Sequence, residues 1–98
     1  MDLAARRMLS MYYTYVLMSL KDGQFYTGYT SDLRKRLAEH NNGESKSTKY
    51  RRPLTLIYFE GCLDIRDAMR REKYLKSGNG KIYLKNRLRK YLEHVNNQ

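Results

Sequence analysis

Two strand-like runs stand close together, Tyr12–Ser19 and Phe25–Thr30, and Lys21-Asp22-Gly23 lies between them. Tyr, Val and Thr favour a pleated backbone, and an Asp-Gly pair is a turn signal, so the runs should fold back on each other as an antiparallel hairpin. A loop of between about two and five residues fits, which leaves the register open. With 98 residues the chain has room for one domain and one modest core, so the remaining elements must pack onto this hairpin.

Beyond the hairpin the pattern turns helical. Thr30-Ser31-Asp32 opens a helix, with Ser31 as its N-cap and Asp32 in the electropositive first turn. It runs to about residue 40 and ends at Asn41-Asn42-Gly43, where Gly43 suits a left-handed position. A polar, basic loop occupies 44–53. Residues 54–60 read as a third strand, with Leu54, Leu56 and Tyr58 on one face and Ile57 and Phe59 on the other. Apolar residues on both faces suit a central strand. Asp64 caps a second helix that runs to about residue 77 and is broken by Gly78-Asn79-Gly80. Residues 82–95 form a third, with Leu84, Leu88, Tyr91, Leu92 and Val95 on one stripe. The order β-β-α-β-α-α predicts an α/β fold, a small sandwich with a three-stranded, mainly antiparallel sheet flanked by helices. Residues 1–11 read as an N-terminal extension to a domain at 12–98.

Lys and Arg number 20 against 10 Asp and Glu, a formal charge of +10. Such a field attracts polyanions, and nucleic acid is the first partner to expect. The plain alternative is a solvated basic surface. A membrane partner is disfavoured: no helix joins a basic face to exposed apolar bulk, and no apolar run is long enough to span a bilayer. Cys62 is the only cysteine, which rules out an internal disulfide and a cysteine zinc site and fits a reducing cytoplasm.

Several polar side chains share apolar faces. Glu72 falls on the stripe of Ile65, Ala68, Met69 and Leu75. A carboxylate there needs a partner, so Glu72 is an ion-pair partner, a metal ligand, a general acid or base, or a rim glutamate reaching to Lys or Arg. Arg36 and His40 lie one turn apart on the Leu33 and Leu37 face. Arg clamps phosphate and His moves protons near neutral pH, although a helix-edge Arg and a His favoured by the helix dipole would look the same. Tyr15 and Tyr26 sit mid-strand, where packing is the commoner role.

Taken together, these residues resemble the GIY-YIG nucleases. Tyr13-Thr14-Tyr15 stands where the first motif would be, with Tyr13 and Thr14 in place of Gly and Ile, and Tyr26-Thr27-Gly28 where the second would be. The similarity continues through Arg36-Leu37, His40, 47–53, Arg71-Glu72-Lys73 and 75–78, and is strongest to small standalone bacterial members. Those are related to the nuclease domain of the excision-repair incision protein, which points to DNA repair or recombination. The resemblance implies an endonuclease that hydrolyses DNA phosphodiester bonds with one Mg²⁺ (or Mn²⁺), held by Glu72 as the only protein ligand. It implies Arg36 on the phosphoryl oxygens, Tyr26 on the attacking water, Tyr15 hydrogen-bonding water or phosphate, and His40 as a proton relay or a supporting group. Lys46, Lys49, Arg51, Arg52, Lys76 and Lys81 would grip phosphates without reading sequence. Either Asn79 or Asn86 would supply an asparagine near the site. RNA as substrate, a non-catalytic nucleic-acid-binding module and a nuclease subunit needing a partner are the competing readings.

Overall fold

A computed structural model describes residues 10–97, so the expected extension 1–11 lies almost wholly outside the described residues. The elements are β1 (Tyr12–Ser19), β2 (Phe25–Thr30), α1 (Leu33–Asn41), a 3₁₀ turn (Lys49–Arg51), β3 (Leu54–Cys62), α2 (Ile65–Lys76), α3 (Gly78–Arg87) and α4 (Arg89–Asn96). The α/β order is the expected one, but the helix expected over 82–95 is two helices. Leu88 leaves helical geometry between them, at φ −110° and ψ 19°. Of the expected stripe, Leu84 is buried and Leu88, Leu92 and Val95 are half-buried, while Tyr91 is exposed.

Local chemistry sets the helix ends. Asp32, not Ser31, caps α1: its Oδ1 accepts from the Lys35 N–H at 3.1 Å. Thr30 Oγ1 takes the Asp32 N–H at 3.1 Å, which holds Asp32 extended and moves the helix start one residue on. Asp64 caps α2 as expected, accepting from the Arg66 N–H at 2.8 Å. The break before α3 comes at Ser77 rather than at the glycines. Ser77 is extended, at ψ 167°, and its Oγ accepts from the Gly80 N–H at 3.1 Å, so Gly78 and Gly80 belong to the first turn of α3.

All strand pairs are antiparallel and the order is β2-β1-β3. The central strand is therefore β1, and β3, expected in the middle, is an edge. β1 is buried at every position from Thr14 to Ser19. Its polar members hide this in the sequence, because each finds a partner inside: Thr14 Oγ1 donates to the Ala68 carbonyl at 3.0 Å and Ser19 Oγ to the Arg51 carbonyl at 2.6 Å.

The two-sided apolar character of β3 has a different cause. Its register slips so that Val16 faces Tyr58 while Leu17 faces Leu56, leaving Ile57 as the extra residue of a bulge. Leu54 and Leu56 consequently pack with Tyr15, Leu17, Leu33 and Leu37 under α1. Tyr58, expected with them, joins Ile57 on the opposite face with Val16, Leu75 and Leu84. The molecule is thus three layers, with α1 on one side of the sheet and α2 and α3 on the other.

The loop after α1 is anchored at both ends. Asn41 pairs with the backbone of Leu54 like a short strand, donating from Nδ2 at 3.1 Å and accepting at Oδ1 at 3.0 Å. Gly43 takes the expected left-handed backbone, at φ +78°, and the Arg52 guanidinium packs where a Cβ would be, 2.7 Å away. Among the described residues, no helix is long and apolar enough to cross a membrane.

Candidate active site

Strand alternation aims Tyr15 of β1 and helical periodicity aims His40 of α1 into the same layer. The Tyr15 hydroxyl lies 2.9 Å from His40 Nε2, and His40 Nδ1 lies 2.7 Å from Thr48 Oγ1. His40 and Thr48 are fully buried and Tyr15 nearly so. Tyr26, half-buried on β2, completes the group, its ring 5.0 Å from that of His40 and 6.5 Å from that of Tyr15. Tyr15 pairs with Gly28 across the ladder, and its ring passes over that residue: a Cβ on Gly28 would stand 2.6 Å from the hydroxyl oxygen.

The electrostatics tie Arg36 to this group. Burial pushes the Tyr15 phenol above its ordinary value; the adjacent Arg36 guanidinium opposes the rise, and Tyr26 and Glu72 add to it. Tyr15 is therefore a neutral hydroxyl at physiological pH. Burial also pushes His40 down to about 4, helped by the Arg36 charge and opposed by Glu39, so its ring is neutral at pH 7. Burial works against the Arg36 cation, but Tyr15, Tyr26 and Glu39 outweigh it and hold the group above the ordinary arginine value. A guanidinium only donates, so it competes for the Tyr15 lone pairs. That favours the Tyr15 O–H donating to Nε2 and the Nδ1–H donating to Thr48.

Glu72 enters from the other layer, on α2. Of the readings left open for Glu72 the rim position is the one observed: Ile65 and Met69 are 41% and 46% exposed, and of the stripe Ala68 and Leu75 are buried. Glu72 is a rim carboxylate, 20% exposed, with Lys76 Nζ 3.0 Å away. Among the described residues no three His, Cys, Asp or Glu gather as a metal cluster. A lone carboxylate at a wet rim suits a hard cation that keeps most of its water, as Mg²⁺ does, and does not suit zinc.

The expected phosphate-gripping residues divide. Lys46 and Lys49 are exposed. Arg51 is turned inward: Nη2 donates to the Phe25 carbonyl at 3.3 Å, and Nε lies 3.7 Å from Asp22. Arg52 donates from Nε to the Lys49 carbonyl at 2.9 Å. Lys76 holds Glu72. Lys81 lines a groove with Lys85 and Arg89, between the hairpin turn and the C-terminal helices. Asn79 and Asn86 are both exposed on α3.

Sequence reasoning missed Thr48 and the role of Gly28. Thr48 sits in a polar loop and carries no periodic signal, whereas a glycine inside a strand is a sign of close approach. It also missed a second network, in which Tyr58 donates to Glu60 Oε2 at 2.7 Å, Arg71 bonds the other Glu60 oxygen, and Arg71 lies over the Tyr74 and Tyr83 rings at 5.1 and 4.9 Å.

The chain is similar to known proteins. The family model for the GIY-YIG catalytic domain matches residues 11–87. A UPF0213 protein from Staphylococcus saprophyticus is 41% identical over 70 residues, which cover 70% of this chain and 84% of that one. Another, from Halobacterium salinarum, is 45% identical over 67 residues, covering 67% and 86%. The solution NMR structure of a UPF0213 protein from Bacillus halodurans is 36% identical, covers 76% of this chain and 81% of its own, and superposes with a TM-score of 0.47. Since the family model matches most of the chain, the chain belongs to the GIY-YIG family.

Proposed function

We propose that this chain is a metal-dependent endonuclease that hydrolyses phosphodiester bonds in DNA, and that residues 12–98 form its nuclease domain. The observation that carries the reading is the convergence of Tyr15, Tyr26, Arg36 and His40 in one layer of the fold.

Each side chain has a role its environment permits. Arg36 neutralises charge that grows on the phosphoryl oxygens. Tyr26 orients the attacking water. Tyr15 is kept neutral by burial, so it positions water or phosphate by hydrogen bonding rather than acting as the base. His40 has both ring nitrogens engaged and no exposed surface, which makes it a positioning residue that fixes the Tyr15 hydroxyl. Glu72, which pairs with Lys76 here, would be the residue that holds Mg²⁺ (or Mn²⁺). Such an ion would supply positive charge that stabilises phosphodiester hydrolysis. Lys46 and Lys49, exposed beside the site, hold the backbone of the substrate. Arg51 and Arg52 shape the loop that carries them. Lys76 and Lys81 add charge along α2 and α3.

A purely binding module would account for the charge, but it gives no reason for Arg36 to stand against the buried Tyr15–His40 pair. The test is cleavage of labelled single-stranded, duplex, flapped and branched DNA in Mg²⁺, Mn²⁺ or chelator. Cutting that requires the metal is the expected result; salt-sensitive binding without cutting would favour the binding module.

A further inference from the structure

Tyr50 is 76% exposed, although it sits on a turn held from several sides. Ser19 Oγ donates to the Arg51 carbonyl at 2.6 Å and Lys21 Nζ to the Tyr50 carbonyl at 3.2 Å. The Arg51 side chain reaches back to the Phe25 carbonyl at 3.3 Å, and Arg52 Nε to the Lys49 carbonyl at 2.9 Å. Thr48, which precedes the turn, is fully buried and bonded to His40. The ring therefore stands on a rigid pedestal that is tied through Thr48 and His40 to Tyr15. Cations stand close to this turn: Lys49 Nζ is 5.3 Å from the ring centroid, Lys21 Nζ reaches the Tyr50 carbonyl from the hairpin, and Lys46 is exposed on the same loop.

A pre-ordered aromatic among cations matches nucleic-acid chemistry of one kind. Lysines follow the phosphates while the ring accepts the face of a base. Bases inside a duplex are stacked on one another and offer no free face. An ordered turn also loses little entropy when a ligand docks. We propose that Tyr50 is a stacking platform for an unpaired base, which makes single-stranded or flapped DNA the substrate class of the neighbouring site. This deepens the nuclease reading, but its test does not depend on cleavage.

The experiment is fluorescence anisotropy in chelator, with a short labelled single strand and the matching duplex, on wild type, Tyr50→Ala and Tyr50→Phe. An exposed ring contributes little to folding, and thermal melting checks that both variants stay folded. Tyr50→Ala should weaken single-strand binding roughly 5- to 100-fold and duplex binding by no more than about twofold, while Tyr50→Phe stays near wild type. Equal weakening on both DNAs, no weakening, or no measurable single-strand binding by wild type would overturn the proposal. Tyr50-dependent strand binding without cutting in Mg²⁺ would uphold the platform and defeat the nuclease reading; cutting with Tyr50-indifferent binding would do the reverse.

Discussion

Tyr15 and Gly28 face each other across the β1–β2 ladder, and the tyrosine hydroxyl occupies space that any side chain at 28 would need. The close approach brings the hydroxyl to His40. Gly28→Ala should therefore displace the Tyr15 ring, cost about 1–3 kcal/mol of stability through overpacking, and lower cleavage more than stability alone explains. Thermal melts and cleavage rates at a temperature where the variant is fully folded separate the two effects. A variant as stable and as active as wild type would remove the role assigned to this contact.

The buried neutral His40 makes stability depend on pH. Unfolded, the imidazole takes up its proton near its ordinary value of 6.5; folded, it does so only at about 4. Between those values the unfolded chain holds more protons. The contribution of His40 is therefore fully present above pH 6.5 and is lost as pH falls through the window to 4, at no more than about 1.4 kcal/mol per pH unit. Denaturant melts from pH 7.5 to 4 should show this slope in wild type and a shallower one in His40→Gln. Parallel slopes would mean that His40 titrates normally.

The basic loop should separate its cations by function. Arg52 fills the space beside Gly43 and holds the Lys49 carbonyl, so Arg52→Ala should destabilise by about 1 kcal/mol. Lys46→Ala should leave stability within about 0.5 kcal/mol of wild type and reduce the salt dependence of DNA binding by about one counterion. Melting curves and a salt titration of affinity check the pair. If both variants melt alike, Arg52 does not brace the loop.

The two hydroxyls of Tyr26 and Tyr50 should differ in consequence. Tyr26 packs against His40 inside the site, whereas Tyr50 offers a ring whose hydroxyl has no assigned task. Tyr26→Phe should lower the cleavage rate by roughly 100-fold, and Tyr50→Phe by less than about threefold. Single-turnover rates at saturating protein compare them directly, and equal losses would leave Tyr26 without a chemical role.

Much of this arrangement was legible in the sequence, for identifiable reasons. The hairpin followed from an Asp-Gly turn between β-prone runs. The shared face of Arg36 and His40 followed from helical period, which depends on one element alone. What stayed hidden depends on contacts between elements. β1 looked less central than β3 because its Thr14 and Ser19 are polar, and only their tertiary partners show how they can be buried. Tyr58 changed faces because a bulge at Ile57 resets the alternation, and nothing in 54–60 announces a bulge. Thr48 reaches His40 through a loop whose path is set by Asn41 and Gly43 at one end and Ser19 at the other. The helical wheel leaves Glu72 open between a buried and a rim position, and only the packing of α2 through Ala68 and Leu75, with Ile65 and Met69 outside, decides for the rim.

The proposed nuclease depends on a metal held by Glu72. The direct measurement compares wild type with Glu72→Ala, following cleavage in Mg²⁺ and in chelator alongside DNA affinity. Wild type should cut only with the metal, and the variant should lose at least roughly 100-fold in rate while binding DNA as well as before or better, since a negative charge is removed. Cleavage by Glu72→Ala at the wild-type rate, or wild-type cleavage unaffected by chelator, would contradict a metal held by Glu72.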